Sequence, residues 1–140
     1  MYQIEKKFTI PIGHLLSKSK NNMQKSIHGH NLNILVGVSS EKLNNNDMVV
    51  DFSDLKNTVG DIINVWDHCL FLNNSDEAIE EFIESKNMKV ISFNFDPTAE
   101  KLAETLYKVL KQRLKDLHNI NIDYISIYEN ENSKATYFEN

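Results

Sequence analysis

His28-Gly29-His30-Asn31-Leu32-Asn33-Ile34-Leu35-Val36-Gly37-Val38 is the stretch on which the fold turns. Residues two apart on a strand share a face. A strand over about 28–40 therefore sets His28, His30, Leu32, Ile34, Val36 and Val38 on one side. Upstream, residues 2–14 alternate in the same way. Tyr2, Ile4, Phe8, Ile10 and Ile12 share a face, interrupted by Lys6 and ending at His14. The stretch between, 15–27, contains Ser17, Lys18, Ser19, Lys20, Asn21 and Asn22 and reads as a polar loop without periodicity.

Downstream, Asn44-Asn45-Asn46-Asp47 reads as a turn. Leu55, Val59, Ile62, Ile63 and Trp66 then fall on one helical stripe, with Ser53 or Asp54 available as the N-cap. Residues 76–86 suit a short helix and Val90-Ile91-Ser92-Phe93 a short extended piece. In Asp96-Pro97-Thr98-Ala99-Glu100, Asp96 can cap a helix and Pro97 fits its first position. Leu102, Ala103, Leu106, Leu110, Leu114 and Leu117 supply that helix with an apolar stripe, and residues 121–129 and 134–138 close the chain as strands. The order β-β-α-(insert)-α-β-β predicts an α+β fold with antiparallel neighbours and both helices on one face of the sheet. Ile122, Tyr124 and Tyr128 occupy one phase of the closing strands, Ile125 and Ile127 the other. That pattern predicts burial on both faces, by helices on one side and another subunit on the other.

The chain has 140 residues, 41% hydrophobic and 25% charged, which suits one domain over 1–140 with one core. The formal net charge of −5 argues against nonspecific nucleic-acid binding. With one cysteine, Cys69, no intrachain disulfide can form, and the thiol reads as buried and structural. No apolar run approaches the roughly 20 residues of a membrane span, and Met1-Tyr2-Gln3-Ile4-Glu5 lacks the pattern of a signal peptide. The expectation is a cytoplasmic protein without nucleic-acid or membrane partners.

The histidines carry the strongest chemical signal. A His-x-His pair alone is common by chance, but His14 ends the preceding strand in phase with the inward-facing set. If the two strands pair antiparallel, His14, His28 and His30 converge at one edge. Three neutral imidazoles with an open position are the usual ligand set of a catalytic zinc. Magnesium and calcium prefer oxygen. His118, near a helix C-terminus, reads as structural.

Several motifs then match one family in order. A strand ending in a histidine, a loop and His28-Gly29-His30 resemble the zinc-binding segment of the 6-pyruvoyl and 6-carboxytetrahydropterin synthases. Met48-Val49-Val50-Asp51-Phe52 resembles that family's GMVxDF, with Asp47 for the glycine. Trp66-Asp67-His68, Leu70 and Leu72-Asn73 resemble LDHxxLN. Pro97-Thr98-Ala99-Glu100 resembles the start of PTAEN, with Lys101 for the asparagine. Tyr128-Glu129-Asn130 resembles the family's glutamate-threonine pair, with Asn130 for the threonine.

The resemblance spans nearly the whole chain. It implies the T-fold, a four-stranded antiparallel sheet with two helices on one face (β-β-α-α-β-β). It also implies trimers, or hexamers of stacked trimers, with active sites between subunits. By resemblance, His14, His28 and His30 hold Zn2+, Glu129 anchors the pterin, and Thr98 and Glu100 line the same pocket. Asp67 and His68 match the family's acid–base pair. Without the resemblance, Glu100 is a first-turn acid and Glu129 a turn residue. The implied substrate is 7,8-dihydroneopterin triphosphate. The implied reaction is that of a zinc-dependent lyase, as in 6-carboxytetrahydropterin synthase of the queuosine route or 6-pyruvoyltetrahydropterin synthase.

One position departs from the pattern. The family's catalytic cysteine stands four residues before His28, and here that residue is Gln24, neutral at every pH. Neither cysteine nor acid occurs between His14 and His28. This leaves open an aldolase-like relative giving 6-hydroxymethylpterin for folate, or a non-catalytic protein that binds zinc and pterin. Lys18, Lys20 and Lys25 either meet the triphosphate or form a solvated basic loop.

Overall fold

The computed structural model describes residues 1–140. Ten elements follow in chain order: β1 (Tyr2–His14), α1 (Asn22–Lys25), β2 (His28–Ser40), α2 (Phe52–Trp66), β3 (Cys69–Asn73), α3 (Glu77–Ser85), β4 (Val90–Phe93), α4 (Ala99–His118), β5 (Asn121–Asn130) and β6 (Ser133–Tyr137). The strands form one six-stranded sheet in the order β4-β3-β1-β2-β5-β6.

The two long strands pair antiparallel over their full length, from Tyr2 opposite Ser40 to His14 opposite His28. Their alternation produces the expected inner face, with Ile10, Ile12, Leu32, Ile34, Val36 and Val38 buried. Helices α2 and α4 both pack on that face, through Leu55, Val59, Ile63 and Trp66 of α2 and Leu102, Ala103, Leu106, Leu110 and Leu114 of α4. Burying a side chain of this size stabilises the fold by roughly 1.5–3 kcal/mol. The helix stripes therefore decide which side of the sheet is covered. Leu117, assigned to the α4 stripe by spacing, is exposed.

The expected four-stranded antiparallel sheet is corrected to a six-stranded mixed one. β1, β2, β5 and β6 form the antiparallel part. β3 adds parallel to β1, with Ile12 opposite Cys69, and β4 adds parallel to β3. β3 escapes a periodicity reading because it is five residues long and four of them, Cys69, Phe71, Leu72 and Asn73, are buried, so it shows no alternation.

Both predicted caps are displaced. Asp51, rather than Ser53 or Asp54, caps α2, its carboxylate accepting from the Ser53 N–H at 2.7 Å. Thr98, rather than Asp96, caps α4, accepting from the Lys101 N–H at 3.2 Å. This leaves Asp96 and Pro97 outside the helix and available to the site.

The two-phase pattern of the last strands also has a local cause. The register of β2 with β5 slips between Gly37 and Val38, so Tyr124 opposes Gly37 while Ile122 opposes Val38. Asp123 is the extra residue of a bulge. Ile122 thereby joins Ile125 and Ile127 in the core. Tyr124 is half-buried above Gly37, where a Cβ would overlap its ring. No helix is long and apolar enough to cross a membrane.

Candidate metal centre and the clefts around it

Antiparallel pairing of β1 with β2 places His14 directly opposite His28, and His30 opposite Ile12. The three imidazoles meet as the strand phases predict. Their ring centroids are 4.5 Å apart for His14 and His28, and 5.0 Å for each other pair. One ligand atom from each lies within 4.8 Å of the others.

The hydrogen bonds select the tautomers. His14 Nδ1 lies 2.9 Å from the Pro97 carbonyl and His28 Nδ1 lies 2.7 Å from the Ser26 carbonyl. A carbonyl only accepts, so each Nδ1 carries the proton and each Nε2 presents a lone pair. His14 Nε2 and His30 Nε2 are buried without a hydrogen-bond partner. Orphaned buried nitrogens are costly, and a cation between them would satisfy both. Burial lowers the His14 pKa to about 4, with the bond to Pro97 opposing and the charges of His28 and His30 adding to the effect. His14 is thus neutral at pH 7, as a metal ligand would have to be. This donor set fits zinc.

The loop before His28 is more ordered than its composition predicts. Asn21 caps the one-turn helix α1, accepting from Met23 and Gln24 N–H groups at 2.8 and 3.4 Å. The Leu16 N–H donates to the Gln24 carbonyl at 2.8 Å. Asp96 holds the other side of the loop, accepting from Ser17 Oγ at 3.1 Å and from the Lys18 N–H at 2.8 Å. It also accepts from Asn73 Nδ2 at 3.0 Å, tying the loop to the end of β3. Burial disfavours the Asp96 carboxylate, but the bonds from Asn73, Lys18 and Ser17 outweigh it and hold its pKa below the ordinary value.

Two adjoining clefts open beside the histidines. One is lined by His14, His28, His30, Gln24 and Glu129, the other by Gln24, Thr98, Glu100, Glu129 and Lys134. The structure therefore brings the three histidines, Glu129, Thr98 and Glu100 into one region, with Gln24 at the junction. Lys18, Lys20 and Lys25 line neither cleft, whereas Lys134 lines the second. Lys134 carries no signal in the sequence, where it reads as an ordinary polar residue of a short exposed strand. It pairs with Tyr128, and its ammonium lies 5.6 Å from the centre of that ring.

Asp67 and His68 stand apart. His68 Nδ1 lies 2.7 Å from Asp67 Oδ1, so the carboxylate fixes the tautomer and leaves Nε2 free. His68 is in the left-handed region at φ 58°, a conformation costing roughly 1–2 kcal/mol outside glycine. Its N–H is held by the Pro11 carbonyl at 2.9 Å. Lys89 donates to the Asp67 carbonyl at 2.5 Å and to that of Asn64 at 3.4 Å. His68 lines a separate, mostly apolar cleft with Pro11, Gly13, Ile27, Leu70, Ile83 and Met88. Within one chain it does not line the histidine clefts. Cys69 is buried, with burial raising its thiol pKa, as expected of a structural thiol. His118 Nε2 meets Thr58 Oγ1 at 2.7 Å, joining the end of α4 to α2.

Comparison with known proteins agrees with this architecture. The 6-pyruvoyl tetrahydropterin synthase family profile matches residues 3–140. The chain is 33% identical over 121 residues to 6-carboxy-5,6,7,8-tetrahydropterin synthase of Aquifex aeolicus, covering 81% of this chain and 75% of that one. It is 30% identical over 146 residues to the protein of the same name in Haemophilus influenzae, covering 99% and 100%. Among solved structures, an uncharacterized protein of Wolinella succinogenes superposes with a TM-score of 0.82 at 21% identity, covering 99% of this chain and 98% of that one. The 6-pyruvoyl tetrahydropterin synthase of Plasmodium falciparum superposes with a TM-score of 0.68 at 20% identity, covering 98% of each chain. The chain belongs to the 6-pyruvoyl tetrahydropterin synthase family.

Proposed function

We propose that this member of the 6-pyruvoyl tetrahydropterin synthase family is a zinc-dependent lyase acting on the side chain of 7,8-dihydroneopterin triphosphate. The branch we favour is the 6-carboxytetrahydropterin synthase reaction of the queuosine route. The observation that carries the reading is the pair of buried, unpartnered Nε2 atoms of His14 and His30 beside a cleft that continues to Glu129.

His14, His28 and His30 would hold the ion. When bound, zinc supplies Lewis acidity that lowers hydroxyl pKa values and stabilises enolate-like charge. Glu129 can accept two parallel hydrogen bonds from the amino group and ring N–H of a pterin. Thr98 spends one lone pair on the helix cap and keeps its hydroxyl hydrogen for the cleft. Asp67 keeps the His68 Nδ1 protonated, so Nε2 is the atom that takes or gives a proton. Because His68 lines a different cleft, the pair would serve the site of a neighbouring copy in a trimer or hexamer.

Gln24 favours a second reading, a protein that binds zinc and pterin without turnover, since an amide cannot act as a base. Turnover of the zinc-loaded protein with 7,8-dihydroneopterin triphosphate, followed by mass spectrometry, decides between them. A 6-carboxy product formed at a catalytic rate is the expected result. A pyruvoyl or hydroxymethyl product would change the branch, and tight binding with no product would establish the second reading.

A further inference from the structure

Gln24 lines both clefts, and Ser19 holds one end of its amide. Ser19 Oγ accepts the Asn21 backbone N–H at 3.1 Å and donates to Gln24 Oε1 at 2.7 Å. The backbone of Gln24 is pinned as well, its carbonyl by Leu16 and its N–H by the Asn21 side chain. Oε1 is bonded to Ser19 while Nε2 bonds to no protein group, so the end of Gln24 offered to a ligand is the Nε2 amide, a neutral donor at every pH. Gln24 lines the cleft of His14, His28 and His30 and the cleft of Thr98 and Glu100, and Glu129 lines both.

We infer that Gln24 is a donor site for an acyl oxygen, a carbonyl or a carboxylate, on the C6 substituent of a bound pterin. This rests on reading the clefts as a pterin site, and it assigns the loop to recognising an oxidised side chain. A hydroxyl substituent both donates and accepts in water and gains little from one more donor. A carboxylate only accepts, and its bond from an N–H is charge-assisted and about twice as strong as a neutral one. An acid at position 24 would repel that ligand beside two other glutamates. A neutral amide does not.

The test is equilibrium titration of zinc-loaded protein with 6-carboxypterin and with 6-hydroxymethylpterin, followed by pterin fluorescence. Gln24→Met keeps the length without the donor, and Gln24→Glu replaces it with a charged acceptor. Gln24→Met should weaken 6-carboxypterin about tenfold and 6-hydroxymethylpterin less than about threefold. Gln24→Glu should weaken 6-carboxypterin further. Equal effects of Gln24→Met on both pterins, or none on 6-carboxypterin, would overturn the inference. If Glu129→Ala still abolished binding of both, the pterin reading would survive that failure. If neither pterin bound the unaltered protein, both would fall.

Discussion

The imidazole of His14 is 1% exposed, donates Nδ1–H to the Pro97 carbonyl and leaves Nε2 unpartnered. Its folded pKa of about 4 lies below the ordinary histidine value of 6.5, so the unfolded chain binds the extra proton. The stability that follows is complete above pH 6.5 and is lost as pH falls from there toward 4, at most about 3 kcal/mol. Urea unfolding of metal-free protein should show this slope, and His14→Asn should flatten it. An unchanged slope in the variant would assign it elsewhere. His28→Ala should abolish stoichiometric zinc in the purified protein, because two imidazoles remain where three converge. Zinc retained one to one by that variant would refute the assigned site. The residues of this centre were legible from strand phase alone. Asp96 was not: it reads locally as a cap, and its bonds to Ser17, Lys18 and Asn73 are all long-range.

At the scale of elements, α2 ends without a basic residue in its own last turn. Lys89, just before β4, supplies the missing cation by donating to the carbonyls of Asn64 and Asp67. That contact braces the turn in which His68 takes its left-handed conformation. Lys89→Met should cost about 1 kcal/mol of stability and lower turnover with little effect on substrate binding, while Lys89→Arg restores most of both. Chemical denaturation and steady-state kinetics check the two halves. Equal loss in the Met and Arg variants would remove the role of charge. Long elements such as β1, β2 and α4 were legible because their apolar periods run for three or more repeats. β3 and the bulge at Asp123 were hidden, since a fully buried strand loses its alternation and a bulge reverses it.

At the scale of the molecule, the sheet ends in β4 on one edge and β6 on the other, each with one side unpaired. The Asp67–His68 pair and the histidine clefts occupy separate places on the chain. If both serve one reaction, copies must meet, and sedimentation should give the mass of three or six chains. A stable monomer that turns over substrate would exclude a shared site. The two long strands, the two core helices and the in-phase histidines are legible in the order of residues alone. Each follows from the fixed periodicity of a backbone and from burial of apolar side chains. The parallel strands β3 and β4, the clamp of Asp96, the Ser19–Gln24 bond and the separation of Asp67–His68 from the histidine cluster became visible only in the folded chain. Apart from the Ser19–Gln24 bond, those depend on contacts between residues far apart in the chain, whose distances no local pattern encodes.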